Sequence, residues 1–303
     1  MRPVDLLIIG GSGFVGAKTA QAAAEADYNV AYTYWSHRLS LPIRSYQVNL
    51  VERNTLEACI NEARPRILIY CAVPRGGELL HRTVSVSGVQ RTLTALNKIS
   101  PSALFIYVST NSVFSGRHAA NRENDLPDPE VRFDAYRAYA ITRAEGERET
   151  LTSWKNSIVV RTSNVDGRDI QGNLSPRLGT LVENLQKGQP VSRFTNRLIS
   201  PTLVDNIVDA ALELISDRFQ YRGILHVAGS QPLSDYDYTL CLARHLLLDE
   251  ALVKMDQVKT SSPTGILNIS LDGSFTQSLL QTRLLNVEEQ LARIFPAKGN
   301  NWE

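Results

Sequence analysis

Gly10-Gly11-Ser12-Gly13-Phe14-Val15-Gly16, near the start of the chain, has the composition and spacing to hold a diphosphate. Gly11, Gly13 and Gly16 satisfy G-x-G-x-x-G, and Gly10, Gly13 and Gly16 also give G-x-x-G-x-x-G. In such a turn one glycine reverses the chain, one lets the backbone approach a pyrophosphate, and one lets helix and strand pack closely. The helix that follows offers unpaired N–H groups and a positive dipole end to the phosphates. A tight strand–helix turn without a ligand uses some of the same residues. Here the motif stands between an apolar run and an alanine-rich one, where dinucleotide binding is the stronger reading.

In an NAD-type site an acid about 20 residues past the loop holds the ribose 2′-hydroxyl. No Asp or Glu occurs between Asp27 and Glu52, and the second apolar run ends in Trp35-Ser36-His37-Arg38. A carboxylate there would repel a 2′-phosphate, whereas Ser36 and Arg38 can bond one, arginine through its planar fork. The expected cofactor is NADP(H) in preference to NAD(H). The plainer alternative is that His37 and Arg38 are solvated loop residues.

The elements that must position these residues follow from apolar runs and helical patterns. Strands are expected over 6–9, 30–35, 46–48, 67–71, 104–108 and 158–160, with helices over 17–26, 56–63, 84–99 and 139–152. Runs that are apolar throughout suit a parallel sheet covered on both faces. The repetition predicts an α/β fold, a doubly wound parallel sheet of Rossmann type, over 1–165. A smaller C-terminal α/β substrate-binding region is expected over 166–303, with about 201–229 returning to the first sheet. Its helices are expected over 176–187, 202–215 and 236–248, with a strand over 223–227.

Composition excludes several classes. With 303 residues, 43% hydrophobic and 21% charged, the chain has ample material for a core. Lys plus Arg number 32 against 31 Asp plus Glu, so no nucleic-acid or anionic-membrane partner is expected. Cys59, Cys71 and Cys241 form no CxxC pair and lie in apolar runs, as buried inert thiols do. His37, His81, His118, His226 and His245 show no metal-binding spacing, so no metal is expected, and His226 reads as a satisfied core histidine. Glu123, Glu130 and Asp134 flank a loop without forming an acid/base pair by spacing. Met1-Arg2-Pro3 leads at once into a strand, and no apolar stretch approaches the roughly 20 residues of a membrane span. A cytoplasmic location is the expectation.

Further segments fall in a fixed order. Val48-Asn49-Leu50 follows the third strand, and Cys71-Ala72-Val73 ends the fourth. Val108-Ser109-Thr110-Asn111-Ser112-Val113-Phe114-Ser115-Gly116 is similar to STDYVFDG, and Glu123, Asp125 and Pro127 to E-x-D-x-P. Tyr139, Thr142, Gly146 and Glu147 match YGxTKxxGE, and Val160 to Gly167 resembles LRTSWVYG. In this order the segments resemble the extended short-chain dehydrogenase/reductase superfamily, and within it the dTDP-4-dehydrorhamnose reductase-like family of sugar-nucleotide reductases. A non-catalytic regulatory subunit of methionine adenosyltransferase is among that family's relatives. The resemblance is strongest over 6–167 and fainter at Pro201-Thr202, Val204-Asp205 and 223–226.

The resemblance implies an oxidoreductase that reduces a carbonyl on a sugar nucleotide or related polar metabolite. It makes Tyr139 the acid/base at the substrate oxygen and Thr110 its hydroxyl partner. Residue 143 becomes the cation that favours phenolate and holds the nicotinamide ribose. A tyrosine pKa near about 10 calls for such a cation, and four positions on is one helical turn away. Asn49 and Leu50 would border the adenine, and Cys71, Ala72, Val73, Thr162 and Ser163 the rest of the cofactor. Asn111, Val113 and Phe114 would line the substrate, and Arg197 would either bind a sugar-nucleotide diphosphate or stand as a surface arginine. Subunits of the family often pair through the helices preceding strand six, which implies a homodimer.

The chain departs from the family at the cation, which is Arg143 rather than lysine. Guanidinium is planar and never deprotonated, so it cannot relay a proton. Asn111 replaces an aspartate, Ser85 stands where relatives often have asparagine, and the segment between Pro129 and Tyr139 is longer than usual. The longer segment would reshape the substrate mouth, while Arg143, Asn111 and Ser85 favour the alternative, a catalytically altered NADP-binding regulatory or interaction protein.

Overall fold

The computed structural model describes residues 2–117, 121–129, 136–260, 262 and 264–296. Glu130, Asp134 and His118 lie outside the described residues, as does most of the segment between Pro129 and Tyr139.

In chain order the first elements are β1 (Leu6–Ile9), α1 (Phe14–Glu25), β2 (Val30–Tyr34), β3 (Arg44–Gln47), α2 (Arg53–Ala63), β4 (Ile67–Tyr70), α3 (Glu78–Arg82), α4 (Gly88–Ile99), β5 (Leu104–Thr110), α5 (Arg137–Ser153) and β6 (Ser157–Thr162). There follow β7 (Val165–Asp166), α6 (Pro176–Gln186), β8 (Val191–Phe194), β9 (Arg197–Ile199), β10 (Thr202–Leu203), α7 (Val204–Leu214) and β11 (Gly223–His226). The last are β12 (Leu233–Ser234), α8 (Asp235–His245), β13 (Val253–Asp256), β14 (Leu267–Asn268), α9 (Ser274–Leu279) and α10 (Val287–Ile294).

Two compact units share the chain. The first comprises Met1–Val113, Leu126–Arg161 and Val208–Leu225, the second Phe114–Asp125, Thr162–Ile207 and His226–Glu303. A seven-stranded sheet in the order β11-β6-β5-β4-β1-β2-β3 dominates the first. β1 pairs in parallel with both β2 and β4, β2 with β3, and β4 with β5. β1 and β4 are buried along their whole length, because helices on both faces leave no polar side to solvate. The strand order reverses between β1 and β4, and ligands of such sheets sit at the carboxyl ends there. In the second unit β8 pairs with β13, β9 lies between β12 and β14, and β7 pairs with β10. Leu178, Leu181, Val191, Leu242 and Leu291 are among the buried residues of its core.

Two elements differ from the expectation. The helix expected over 84–99 starts earlier, as α3, and reaches α4 through a π-helical turn, Thr83–Ser87. That turn spreads its carbonyls, and side chains answer them: Tyr70 Oη donates to Val84 O at 2.6 Å and Arg91 Nε to Ser87 O at 3.1 Å. The helix expected from residue 202 begins only at Val204, because Thr202 and Leu203 pair with Val165 and Asp166.

The cysteines also need correction. Cys59 is buried, but Cys71 and Cys241 are partly exposed. Burial pushes the Cys59 and Cys71 thiols up to about 12, so both stay protonated. His226 is fully buried, with Nδ1 at 3.0 Å from Asp272 O. Among the described residues no group of His, Cys, Asp and Glu is arranged to hold a metal ion, and no helix is long and apolar enough to cross a membrane.

Candidate active site

The glycine turn leaves β1 at Gly10, whose φ of +80° lies in the left-handed region that favours glycine. A Cβ on Gly10 would stand 2.6 Å from Ala72 Cα, and one on Gly16 2.6 Å from Gly10 O. The turn is therefore packed directly against the backbone that follows β4. Gly13 N donates to Gly10 O at 3.0 Å, and Gly10 N to Thr33 Oγ1 at 3.0 Å. Thr33 on β2 is a brace that the sequence reading missed; its only signal was a hydroxyl inside an apolar run. Gly13 is the N-cap of α1 and brings no side chain, so the first N–H groups of α1 have no side-chain cap. Gly11 is buried, Ser12, Phe14 and Val15 are half-buried, and Gly13 is exposed. This is a cradle that fits a diphosphate.

Trp35, Ser36, His37 and Arg38 follow β2 and are all exposed. Among the described residues Arg38 has no ion-pair partner. The Asn49 side chain serves the turn into α2: Nδ2 donates to Glu52 at 2.7 Å and Oδ1 accepts from Val51 N at 3.0 Å. Leu50 packs on the core and its carbonyl accepts from Arg91. Cys71 Sγ donates to Ile9 O at 3.3 Å beside the glycine turn, while Val73 is exposed.

Tyr139 lies in the first turn of α5 and is half-buried. One turn later Arg143 is only 1% exposed, with its guanidinium 4.4 Å above the Tyr107 ring. Arg143 Nη1 donates to Ala72 O at 3.4 Å, and its buried Nε has no hydrogen-bond partner. Burial works against this charge, and the surrounding Tyr107, Tyr139, Tyr70 and Glu147 offset that, with the pKa raised on balance. Burial also holds the Tyr70 and Tyr107 phenols well above the ordinary range, so both are neutral at neutral pH. Ala72 thus has Gly10 against one side and Arg143 on its carbonyl.

Thr110, the last residue of β5, is buried; its Oγ1 donates to Asn111 Oδ1 at 3.3 Å and accepts from Ser112 N at 3.2 Å. Asn111 and Val113 are buried beside it. His81 of α3 is a second residue that sequence reasoning did not assign. Its ring meets that of Tyr139 edge to face, with centroids 5.5 Å apart.

Beneath these groups α5 is fixed by a buried ion pair. Arg161 Nη2 donates to Glu147 Oε2 at 2.8 Å and Nε to both carboxylate oxygens at 3.1 Å, while Ser109 Oγ donates to Oε1. Arg161 is 0% and Glu147 2% exposed, so the pair has no help from solvent.

Phe114, Thr162, Ser163 and Arg197 belong to the second unit. Phe114 is buried edge-on to His226, the buried Thr162 Oγ1 has no hydrogen-bond partner, and Ser163 Oγ accepts from Ser200 N at 3.3 Å. Arg197 pairs with Asp235 at 3.4 Å. The same unit holds a cluster that sequence reasoning missed. Buried Asp166 accepts from Ser175 Oγ at 2.8 Å and Tyr238 Oη at 3.0 Å and pairs with Arg177. Burial and the charge of Arg177 lower the pKa of neighbouring Arg193.

Comparison with known proteins gives a consistent likeness. The family model for the RmlD substrate binding domain matches residues 4–266. Methionine adenosyltransferase 2 subunit beta of Xenopus tropicalis is 25% identical over 247 residues, covering 78% of this chain and 70% of that one. A dTDP-4-dehydrorhamnose reductase of Bacillus anthracis, solved in complex with NADP, has a TM-score of 0.79 at 17% identity, covering 97% of this chain and 99% of that one. The Bordetella bronchiseptica enzyme WbmH, solved with NAD+, has a TM-score of 0.78 at 16% identity over 96% of each chain.

Proposed function

The chain belongs to the RmlD substrate binding domain family, within the extended short-chain dehydrogenases/reductases, and from that premise we propose that it is an NADP(H)-dependent reductase of a carbonyl on a sugar nucleotide or related polar metabolite. The observation that carries this reading is the convergence at Ala72. The diphosphate cradle packs against its backbone, and the helix bearing Tyr139 reaches its carbonyl through Arg143. A fully buried guanidinium with an unpaired N–H is costly to the fold. Such a group is retained where it acts on a ligand.

Bound NADPH supplies the hydride. The N–H groups at the start of α1 and the glycine turn hold its diphosphate, and Ser36 and Arg38 its 2′-phosphate. Tyr139 gives its phenolic proton to the substrate oxygen as that oxygen gains charge. Thr110 turns its hydroxyl from Asn111 to the same oxygen. Arg143 carries a fixed positive charge one turn below, which stabilises the phenolate left behind. Three free thiols suit a reducing, cytoplasmic location.

Titration with the two coenzymes tests the cofactor reading. NADPH binds more tightly than NADH, and Arg38→Ala weakens NADPH about tenfold while leaving NADH unaffected, the loss of one charge-assisted bond. Tighter NADH binding by the native protein would reject the preference.

A second reading, a regulatory or interaction protein that kept the cofactor site and lost the chemistry, is favoured by Arg143, by Asn111 and by the likeness to the methionine adenosyltransferase subunit. Arg143→Lys, assayed with dTDP-4-dehydrorhamnose and NADPH, separates the two. A native protein that reduces this substrate and loses about tenfold or more with lysine is an enzyme adapted to arginine, because the two cations differ in size and donor geometry. An inert native protein that gains activity with lysine has lost its chemistry.

A further inference from the structure

We propose that His81 is a positioning residue for Tyr139: its ring holds the phenol in one orientation, and proton donation by Tyr139 depends on it. The inference rests on the reading of Tyr139 as proton donor.

The two rings meet at 5.5 Å with an interplanar angle of 65°, an attractive edge-to-face arrangement. Tyr139 needs such a contact. It sits half-buried in the first turn of α5, and the N-cap, Tyr136, makes no side-chain capping bond. The helix start therefore leaves the direction of the phenol to its neighbours.

The helix that carries His81 is tied to α5. Arg82, the next residue, clamps α3 to α5 by donating to Glu145 Oε2 at 2.5 Å and Oε1 at 3.2 Å. The π-helical turn Thr83–Ser87 then inserts one residue between α3 and α4. That turns His81 about 100° around the helix axis relative to an uninterrupted helix. The register of α3, and so the face that His81 presents, is set by this turn.

Packing alone does not account for an imidazole here. His81 Nδ1 is buried with no well-formed hydrogen bond and only the Gly76 backbone acting on the ring, an unfavourable state that a phenylalanine would avoid. Burial, then the charge of Arg143, lower the His81 pKa, while the Gly76 carbonyl opposes them. Among the described residues Arg143 and Tyr139 on α5 face the ring, Glu78 and Arg82 flank it on its own helix, and Arg82 is paired to Glu145. At neutral pH the ring is accordingly uncharged. As the pH falls it gains a proton beside Arg143, like charges repel, and the contact with Tyr139 loosens.

Two measurements test this together. In protein with ring-labelled tyrosine, the Tyr139 NMR signal is the one lost in Tyr139→Phe. It is narrow in the native protein, broadens or splits in His81→Ala, and narrows again in His81→Phe. In single-turnover oxidation of NADPH with dTDP-4-dehydrorhamnose, His81→Ala slows the reaction about tenfold while the NADPH dissociation constant stays within about twofold. His81→Phe recovers most of that rate and removes the acid limb that the native protein shows below the ordinary histidine range. In a Tyr139→Phe background His81→Ala has no further effect.

An equally narrow Tyr139 signal in His81→Ala overturns the proposal. So does an acid limb that persists in His81→Phe, or a loss of rate matched by a loss of NADPH affinity. If the native protein turns over no dTDP-4-dehydrorhamnose, the NMR arm still decides the role of His81, and what fails is the reductase reading.

Discussion

Tyr139→Phe lowers kcat about 10²–10⁴-fold and leaves the NADPH dissociation constant within about twofold, the size of loss expected when a general acid is deleted. The substitution removes one oxygen atom. The ring stays, so the edge-to-face contact with His81 and the packing of the first turn of α5 are kept. Arg143 is also kept, with its charge above Tyr107 and its bond to Ala72 O. Only the phenolic O–H is gone, and a loss confined to the chemical step is what separates a catalytic phenol from one that merely packs. Stopped-flow oxidation of NADPH beside an equilibrium titration reads both quantities. Full activity in the variant would assign the proton to another group.

Glu147→Ala destabilises the protein by about 3–5 kcal/mol, because it removes the carboxylate that pairs with the buried Arg161 guanidinium. Arg161 is 0% exposed, and its Nε and Nη2 donate to the Glu147 carboxylate. Ser109 loses its acceptor in the same step. Against a total stability of roughly 5–15 kcal/mol, the loss leaves little margin. Denaturant unfolding followed by circular dichroism measures it. Glu147→Gln costs less, since the amide oxygen still accepts from Arg161, though without charge. Replacing both partners with apolar residues of similar volume recovers much of the loss, as the buried charge goes too. Equal stability of native protein and Glu147→Ala would show that solvent reaches Arg161 after all.

The helix that carries these residues shows why some of the site could be read early and some not. The buried side of α5 is Ala140, Thr142, Arg143, Gly146, Glu147 and Thr150. It has almost no apolar stripe, so periodicity alone reads it poorly; Tyr139, Arg143 and Glu147 were found through their order in a family pattern. That pattern gave positions without saying that Arg143 is enclosed or that Glu147 neutralises Arg161. The same holds for α3. His81 has no partner at any telling sequence spacing, and Gly76-Gly77 just before the helix hides its start. In the second unit Asp166, the start of α6 with Ser175 and Arg177, and Tyr238 come from three separate stretches. Only packing gathers them.

What residue order alone decided is local. Glycines at fixed offsets allow one turn, and runs without a polar side demand a sheet covered on both faces, so the phosphate cradle and the parallel sheet were written into short segments. What folding decided is the state of the charged and aromatic groups. Whether Arg143 meets water or the Tyr107 ring, and which neighbour steadies Tyr139, depends on how α3, α5 and β5 pack. Solvation and ring contacts are properties of surroundings assembled from distant parts of the chain, and surroundings do not exist until those parts meet.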